Sequence, residues 1–131
     1  MATKKILCIG GSGQLGTHVI KSLLPYTITN VDFNECKNSQ TNIILKKSLS
    51  SSENNKEVIE QLKKQNPKFD SIIVTSGGWV GGSIKDDDYL HKCQQMLDVN
   101  LIPSLLAAHL AHKYLADNGL VVFTGAAAVF K

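Results

Sequence analysis

The chain has 131 residues, of which 43% are hydrophobic and 19% are charged, enough apolar material for one compact domain. Its formal net charge of +3 is too small to indicate nucleic-acid binding. No stretch approaches the roughly 18 apolar residues of a membrane span, and the N-terminal residues make a poor signal peptide. We therefore expect a single domain over residues 1–131, with neither nucleic acid nor membrane as a partner.

The apolar run Lys5–Ile9 predicts a strand that is buried on both faces and stops at the first of several glycines. Apolar residues then recur at helical spacing as far as Leu24, and Pro25 ends this predicted helix. The segment Thr27–Val31 predicts a second strand that ends at Asp32. The N-terminal part is therefore a strand, a glycine-rich loop, a helix and a second strand.

The segment Phe33–Asn42 is polar and has no periodicity, so it predicts a short crossover without a helix. A third short strand is expected at Ile43–Leu45. A helix near Glu53–Gln65 and a fourth strand over Asp70–Thr75 follow.

Three acidic residues, Asp86–Asp88, predict the start of a long helix that ends near Asn118-Gly119 and is kinked by Pro103. Leu120–Thr124 predicts a fifth strand. The apolar residues expected to share one side of the long helix are Met96, Leu97, Leu101, Leu105, Ala108 and Ala111. Strands that alternate with helices predict an α/β fold with a parallel sheet covered on both faces.

The three cysteines, Cys8, Cys36 and Cys93, form no CxxC pair, and this predicts a reducing, cytoplasmic location. His109 and His112 lie three residues apart, but no Glu or Cys completes a ligand set. We therefore expect no metal site.

The first glycine cluster fits G-x-G-x-x-G at Gly11, Gly13 and Gly16, with a related spacing from Gly10. It follows a predicted strand and opens a predicted helix, which is the context in which this motif holds a dinucleotide pyrophosphate. The alternative is an ordinary tight turn between a strand and a helix.

Asp32 follows the second strand, where a carboxylate can bind the adenosine ribose hydroxyls and repel a 2′-phosphate. The alternative is a turn-forming aspartate. Because the chain has no arginine, the usual partner of a 2′-phosphate is missing, and Lys37 could replace it only in part. This pattern favours NADH over NADPH.

The second glycine cluster follows the fourth strand, at the edge of the sheet where such folds bind ligands. Ser76, Gly77 and Gly78 could leave room for the second half of a dinucleotide, or form a flexible loop. Trp79 beside them could stack on a flat ring or cover the core.

Several runs together resemble the short-chain dehydrogenase/reductases and, within them, the dihydropteridine reductases. They are Ile9–Gly16, Val31-Asp32, Ala108–Ala111, Gly119–Ala128 and, most specifically, Gly77-Gly78-Trp79-Val80-Gly81-Gly82. The resemblance implies a Rossmann-type doubly wound parallel sheet, here an NAD(P)-binding domain truncated after about five strands. It also implies NADH-dependent reduction of quinonoid dihydropterins to tetrahydropterins in a homodimer.

Site residues follow from the same resemblance. Asn100 would support the active site, and Trp79 would lie beside the substrate. The residues expected to contact the cofactor are Gly10, Gly11, Ser12, Gly13, Gln14, Leu15, Gly16, Asp32, Phe33, Ser76, Gly77 and Gly78.

Three features depart from the family pattern. Its Tyr-x-x-x-Lys pair is missing, because Asn30, Cys93 and Asn118 stand four residues after the three tyrosines. The family's catalytic serine would fall near Gly125–Ala127, where this chain has no serine, and this loss is typical of dihydropteridine reductases. The acidic residue that usually follows the third strand would fall near Ser48-Leu49, where neither residue is acidic. We therefore expect a cofactor-binding half with no assigned catalytic residue.

Two alternatives to this interpretation of the sequence remain. One is a catalytically inactive nucleotide-binding or regulatory module, and the other is a different short-chain reductase or an epimerase. The apolar side of the long helix and an unpaired edge at the fifth strand further predict self-association.

Overall fold

A computed structural model describes residues 3–130. All paired strands run parallel in one five-stranded sheet of order β3-β2-β1-β4-β5. In chain order the elements are β1 (Lys5–Ile9), α1 (Gln14–Leu23), β2 (Thr27–Asp32), β3 (Thr41–Ile44), α2 (Ser51–Gln65), β4 (Phe69–Val74), α3 (Tyr89–Asn100), α4 (Ile102–Tyr114), β5 (Leu115–Phe123) and a final 3-10 turn (Ala127–Phe130). The predicted Rossmann-like α/β sheet is confirmed.

The central strand β1 is buried on both faces because its side chains enter two separate cores. Leu7 and Ile9 pack in the larger core with apolar residues of α2 and α4. Ile6 and Cys8 pack on the other side with Ile20 of α1. Alternation along a strand therefore places helices on both faces of the sheet.

The crossover from β2 to β3 contains no helix, as predicted, and side-chain amides stabilise it instead. The Asn42 carboxamide accepts a hydrogen bond from the Cys36 backbone N–H (2.9 Å) and donates one to the Cys36 carbonyl (3.4 Å). Cys36 is buried in the smaller core. This short loop thus covers part of the sheet face on which α1 lies.

The predicted long helix is two helices, and this expectation was wrong in part. α3 ends at Asn100, and Pro103 lies in the first turn of α4. A proline in the middle of a helix removes a hydrogen bond and collides with the preceding turn, whereas the first turn tolerates it. The chain therefore starts a new helix where a kink was expected.

The predicted helix end at Asn118-Gly119 was also wrong, because α4 ends at Tyr114 and β5 begins at Leu115. Asn118 has a left-handed backbone conformation (φ 60°) within an irregular start of β5. Regular pairing with β4 resumes at Leu120. The predicted strand Leu120–Thr124 corresponds to this regular part.

Of the residues expected to share one side of the long helix, Ala111 packs against the larger core, whereas three leucines remain exposed. Leu97, Leu101 and Leu105 are 46%, 46% and 55% exposed. The residues of α4 that are buried are Leu106, Ala107, Leu110 and Tyr114. The exposed side is called the outer stripe below and consists of Leu97, Leu101 and Leu105. None of the helices described for residues 3–130 has the length and apolarity needed to cross a membrane.

Candidate functional site

The loop between β1 and α1 presents the start of a helix without a covering side chain. Gly13 is the N-cap residue of α1 and makes no side-chain cap hydrogen bond, and the first turn contains no acidic residue. Helix geometry leaves the first N–H groups without an intrahelical acceptor, and these groups and the helix dipole favour an anion. The loop is therefore suited to a phosphate.

Two glycines, one in this loop and one in the first turn of α1, occupy positions that no side chain fits. Gly10 has a φ of +94°, and a Cβ atom there would lie 2.5 Å from the Ser76 backbone nitrogen. A Cβ atom on Gly16 would collide with the carbonyl oxygen of Gly10. The spacing of the glycines thus allows the loop to pack closely against α1 and against the loop after β4.

Asn30 of β2 anchors the glycine loop through a hydrogen bond, and the sequence patterns did not identify this residue. Its fully buried side chain accepts a hydrogen bond from the Gly11 N–H (2.9 Å) and donates one to Asn42 Oδ1 (2.9 Å). An uncharged polar residue inside a buried strand was the only signal in the sequence. Its partners lie 19 and 12 residues away along the chain.

Asp32 lies at the end of β2 against the same loop. Its Oδ2 accepts a hydrogen bond from the Ser12 N–H (3.0 Å), and its Oδ1 accepts one from the Phe33 N–H (2.7 Å). Phe33 is 41% exposed beside it. The carboxylate is therefore held at the carboxyl edge of the sheet, next to the start of α1.

Asn100 fixes the loop that follows β4. Its side chain accepts a hydrogen bond from the Gly78 N–H (3.1 Å) and donates one to the Gly78 carbonyl (2.9 Å). Trp79 follows and is 84% exposed, so its indole does not cover the core. Asn100 thus anchors the second glycine cluster from α3.

Two cavities lie along this edge of the sheet. The first, about 470 Å³, is lined by the ends of β1 and β2, the loop before α2 and parts of α3 and α4. The second, about 820 Å³, is lined by the loop after β4, by α3 and by the residues that follow β5. Ser76 lines both cavities.

Some of the predicted cofactor residues line these two cavities, whereas Gly11, Ser12, Gln14, Leu15 and Gly16 line neither. Gly10, Gly13, Asp32, Phe33, Ser76 and Gly77 line the first cavity. Gly78, Trp79 and Asn100 line the second. Gln14 and Leu15 begin α1, and Leu15 is 50% exposed.

Two titratable groups near the site have raised pKa values. Burial raises the pKa of the Cys8 thiol to about 11, so it is protonated at neutral pH. A hydrogen bond with Cys93 raises the pKa of Tyr89, which lines the second cavity. Within residues 3–130, no group of three His, Cys, Asp or Glu side chains is arranged to hold a metal ion.

A parallel sheet with a glycine-rich turn after β1, a carboxylate after β2 and a second glycine cluster after β4 defines a Rossmann fold of the short-chain reductase class. The fold matches a short-chain dehydrogenase family protein of Francisella tularensis with a TM-score of 0.82 and 26% identity, over 98% of this chain and 53% of that one. It also matches a Serratia marcescens short-chain dehydrogenase/reductase mutant, with a TM-score of 0.80 and 16% identity, over 98% of this chain and 57% of that one. The chain belongs to the short-chain dehydrogenase/reductase superfamily.

Within this superfamily, the chain is similar to dihydropteridine reductase of Dictyostelium discoideum. The two are 36% identical over 128 residues, which cover 96% of this chain and 54% of that protein. The chain thus spans about half the length of the relatives that it matches. No family model matches the chain.

Proposed function

We propose that the chain carries the dinucleotide-binding half of a reductase that converts quinonoid dihydropteridines to tetrahydropteridines with NADH. The observation that carries this proposal is the 36% identity to dihydropteridine reductase over 96% of the chain. The specific run Gly77–Gly82 lies beside the second cavity and supports the same assignment.

The residues of the first cavity suit the adenosine and pyrophosphate part of the cofactor. The uncapped start of α1 would take the pyrophosphate, and Asp32 would accept hydrogen bonds from the adenosine ribose. In this arrangement the cofactor crosses the sheet edge from the β2 side to the β4 side, past Ser76.

The second cavity suits the nicotinamide ring and the substrate. When bound, the reduced nicotinamide supplies a hydride. Gly77 and Gly78 leave space for the ring, and Asn100 keeps Gly78 in place through its two hydrogen bonds. The exposed indole of Trp79 offers a face on which a flat pterin can stack.

The charge at the end of β2 favours NADH over NADPH. The 2′-phosphate of NADPH would face the Asp32 carboxylate, and like charges held this close repel each other. Replacement of Asp32 with asparagine removes the charge but keeps an oxygen that can accept the hydrogen bond from Ser12.

We expect Asp32→Asn and Asp32→Ala to lower the ratio of NADH affinity to NADPH affinity by about tenfold or more. Fluorescence titration of each variant with both cofactors measures this ratio. An unchanged preference in both variants would show that Asp32 does not recognise the ribose.

A second candidate function is a nucleotide-binding module without turnover. It is favoured by one observation, namely that no tyrosine of the sequence is followed four residues later by a lysine. Reduction of the substrate requires a proton donor as well as a hydride, and a Tyr-Lys pair would supply it. Under this candidate, the chain binds NADH but does not oxidise it.

One experiment separates the two candidates. The purified chain is titrated with NADH and then mixed with NADH and a quinonoid dihydropterin while NADH absorbance is followed. Binding with oxidation above the buffer rate supports the reductase, and binding without it supports the module. Gly16→Val serves as the control, because a side chain at Gly16 collides with the loop. Absence of NADH binding by the wild type would overturn both candidates.

We also propose self-association through the outer stripe and a cytoplasmic location. Cys8, Cys36 and Cys93 are all free thiols, which is the usual state in a reducing compartment.

A further inference from the structure

A second carboxylate, Asp98 of α3, lines the first cavity together with Asp32. Its Oδ1 accepts hydrogen bonds from Ser51 Oγ (2.8 Å) and from Gln94 Nε2 (3.1 Å). Ser51 is the first residue of α2, so the carboxylate joins α3 to the start of another helix. The two donors fix the orientation of the carboxylate, because both approach the same oxygen.

The other oxygen, Oδ2, has no partner within residues 3–130. None of the hydrogen bonds of these residues ends on it, and their ion pairs join Lys46 to Glu57 and Lys92 to Asp86 and Asp88. Asp98 is partly buried. A carboxylate oxygen in such a place is stabilised by a hydrogen-bond donor, and the first cavity is where a ligand can supply one.

The surroundings of Asp98 match the base of the cofactor and not its phosphates. The wall of the same cavity includes the apolar residues Val99, Leu45 and Leu106, which suit the faces of a purine ring. A carboxylate repels a phosphate but accepts hydrogen bonds from an amino group. The exocyclic amino group of adenine is such a donor.

Asn54, another polar residue of the cavity wall, already forms three hydrogen bonds within the loop before α2. Asn54 Oδ1 accepts a hydrogen bond from the Lys46 N–H (2.8 Å), and its Nδ2 donates to the Lys46 carbonyl (2.9 Å) and the Leu49 carbonyl (3.4 Å). Asn54 therefore shapes the loop before α2.

We propose that Asp98 Oδ2 accepts a hydrogen bond from the exocyclic amino group of adenine, and that Asp98 thereby selects adenine over other purines. The inference rests on the proposed function, since it requires a dinucleotide in the first cavity. It assigns a binding role to a residue that the sequence reasoning did not single out.

Asp98→Asn gives a sharp test because Ser51 and Gln94 continue to donate to Oδ1. Their hydrogen bonds therefore orient the new amide so that its NH₂ group replaces Oδ2. This NH₂ group can donate a hydrogen bond to a carbonyl oxygen but cannot accept one from an amino group. The probe is reduced nicotinamide hypoxanthine dinucleotide, which has a carbonyl in place of the amino group of adenine.

We expect the wild type to bind NADH about tenfold or more tightly than the hypoxanthine analogue, as measured by isothermal titration calorimetry. We expect Asp98→Asn to reduce this ratio to about twofold or to invert it. If Asp98 had a purely structural role, Asp98→Asn would weaken the binding of both ligands equally and leave the affinity ratio unchanged. Asp87→Asn is the matched control, because it removes the same charge from an exposed residue before α3 and should retain the wild-type ratio.

Equal affinities of the wild type for the two ligands would overturn the assignment of Asp98 and leave the proposed function intact. A wild-type ratio that persists in Asp98→Asn would also overturn it. Binding of neither ligand by the wild type would overturn the proposed function and this inference together.

Discussion

At the residue scale, the glycine loop depends on a side chain outside it. Asn30 is fully buried and links the Gly11 N–H to Asn42 on β3. Its second donor bond reaches the Asn34 carbonyl at 3.3 Å. The shape of the loop is therefore coupled to the β2–β3 crossover as well as to its own glycines.

We expect Asn30→Ala to lower the free energy of unfolding by about 1–3 kcal/mol, because it leaves buried polar groups without partners. It should also weaken NADH binding, since the Gly11 amide is no longer held. Urea unfolding and NADH titration measure the two effects. Asn34→Ala is the control, because the bond from Asn30 uses the Asn34 backbone and should survive. Equal stability of Asn30→Ala and the wild type would contradict this account.

The sequence predicts some residues of the candidate site and not others, for a physical reason. Gly10 and Asp32 were predicted because their roles follow from their places relative to one strand end. Asn30 and Asp98 were not predicted, because the hydrogen bonds that position them join residues distant in the chain. The Ser51–Asp98 hydrogen bond, for example, joins residues 47 positions apart.

At the element scale, the starts of helices were less predictable than their existence. The helix expected near Glu53 begins at Ser51, because Ser50 and Glu53 form a capping box. The Ser50 side chain accepts a hydrogen bond from the Glu53 N–H (3.2 Å), and the Glu53 carboxylate accepts one from the Ser50 N–H (2.8 Å). The predicted end of the last helix was wrong for a different reason. Pairing of β5 with β4 outweighs the local signal for a helix end at Asn118-Gly119.

This cap predicts a pH dependence of stability. The hydrogen bond from the Ser50 backbone holds the pKa of Glu53 below its ordinary value of 4.5. The folded state therefore binds this proton less readily than the unfolded state. The stabilisation is fully present above pH 4.5 and is lost as the pH falls through the lower pKa of the folded state.

We expect Glu53→Gln to be less stable than the wild type at neutral pH, with a difference that shrinks in acid. Urea unfolding of both proteins between neutral pH and acid pH measures this. Glu60→Gln, on an exposed position of the same helix, should show no such convergence. A constant difference between Glu53→Gln and the wild type at every pH would count against the role of the cap.

At the scale of the whole molecule, apolar surface remains exposed on two sides. The outer stripe lies on α3 and α4 and on the residue between them. On β5, Leu120 and Val122 are 59% and 37% exposed. Exposed apolar side chains grouped on an element in this way favour an interface.

We expect the chain to self-associate at micromolar concentrations, and Leu105→Lys to weaken this association by placing a charge in the outer stripe. Sedimentation velocity measures both. Ile84→Lys is the control, because Ile84 is 78% exposed but lies outside the stripe. A monomeric wild type would rule out this interface, as would equal association of Leu105→Lys and the wild type.

The position of β1 in the middle of the sheet has a consequence for the order of folding. Ile6 pairs with Ile28 on one side but with Ser71 on the other, so one edge of β1 stays open until a much later part of the chain is available. Long loops close more slowly than short ones, and open edges promote aggregation. Gly10 packs against Ser76, which follows β4. We therefore expect the glycine loop to reach its final shape during synthesis only after β4 has emerged from the ribosome, so that the proposed nucleotide site forms late.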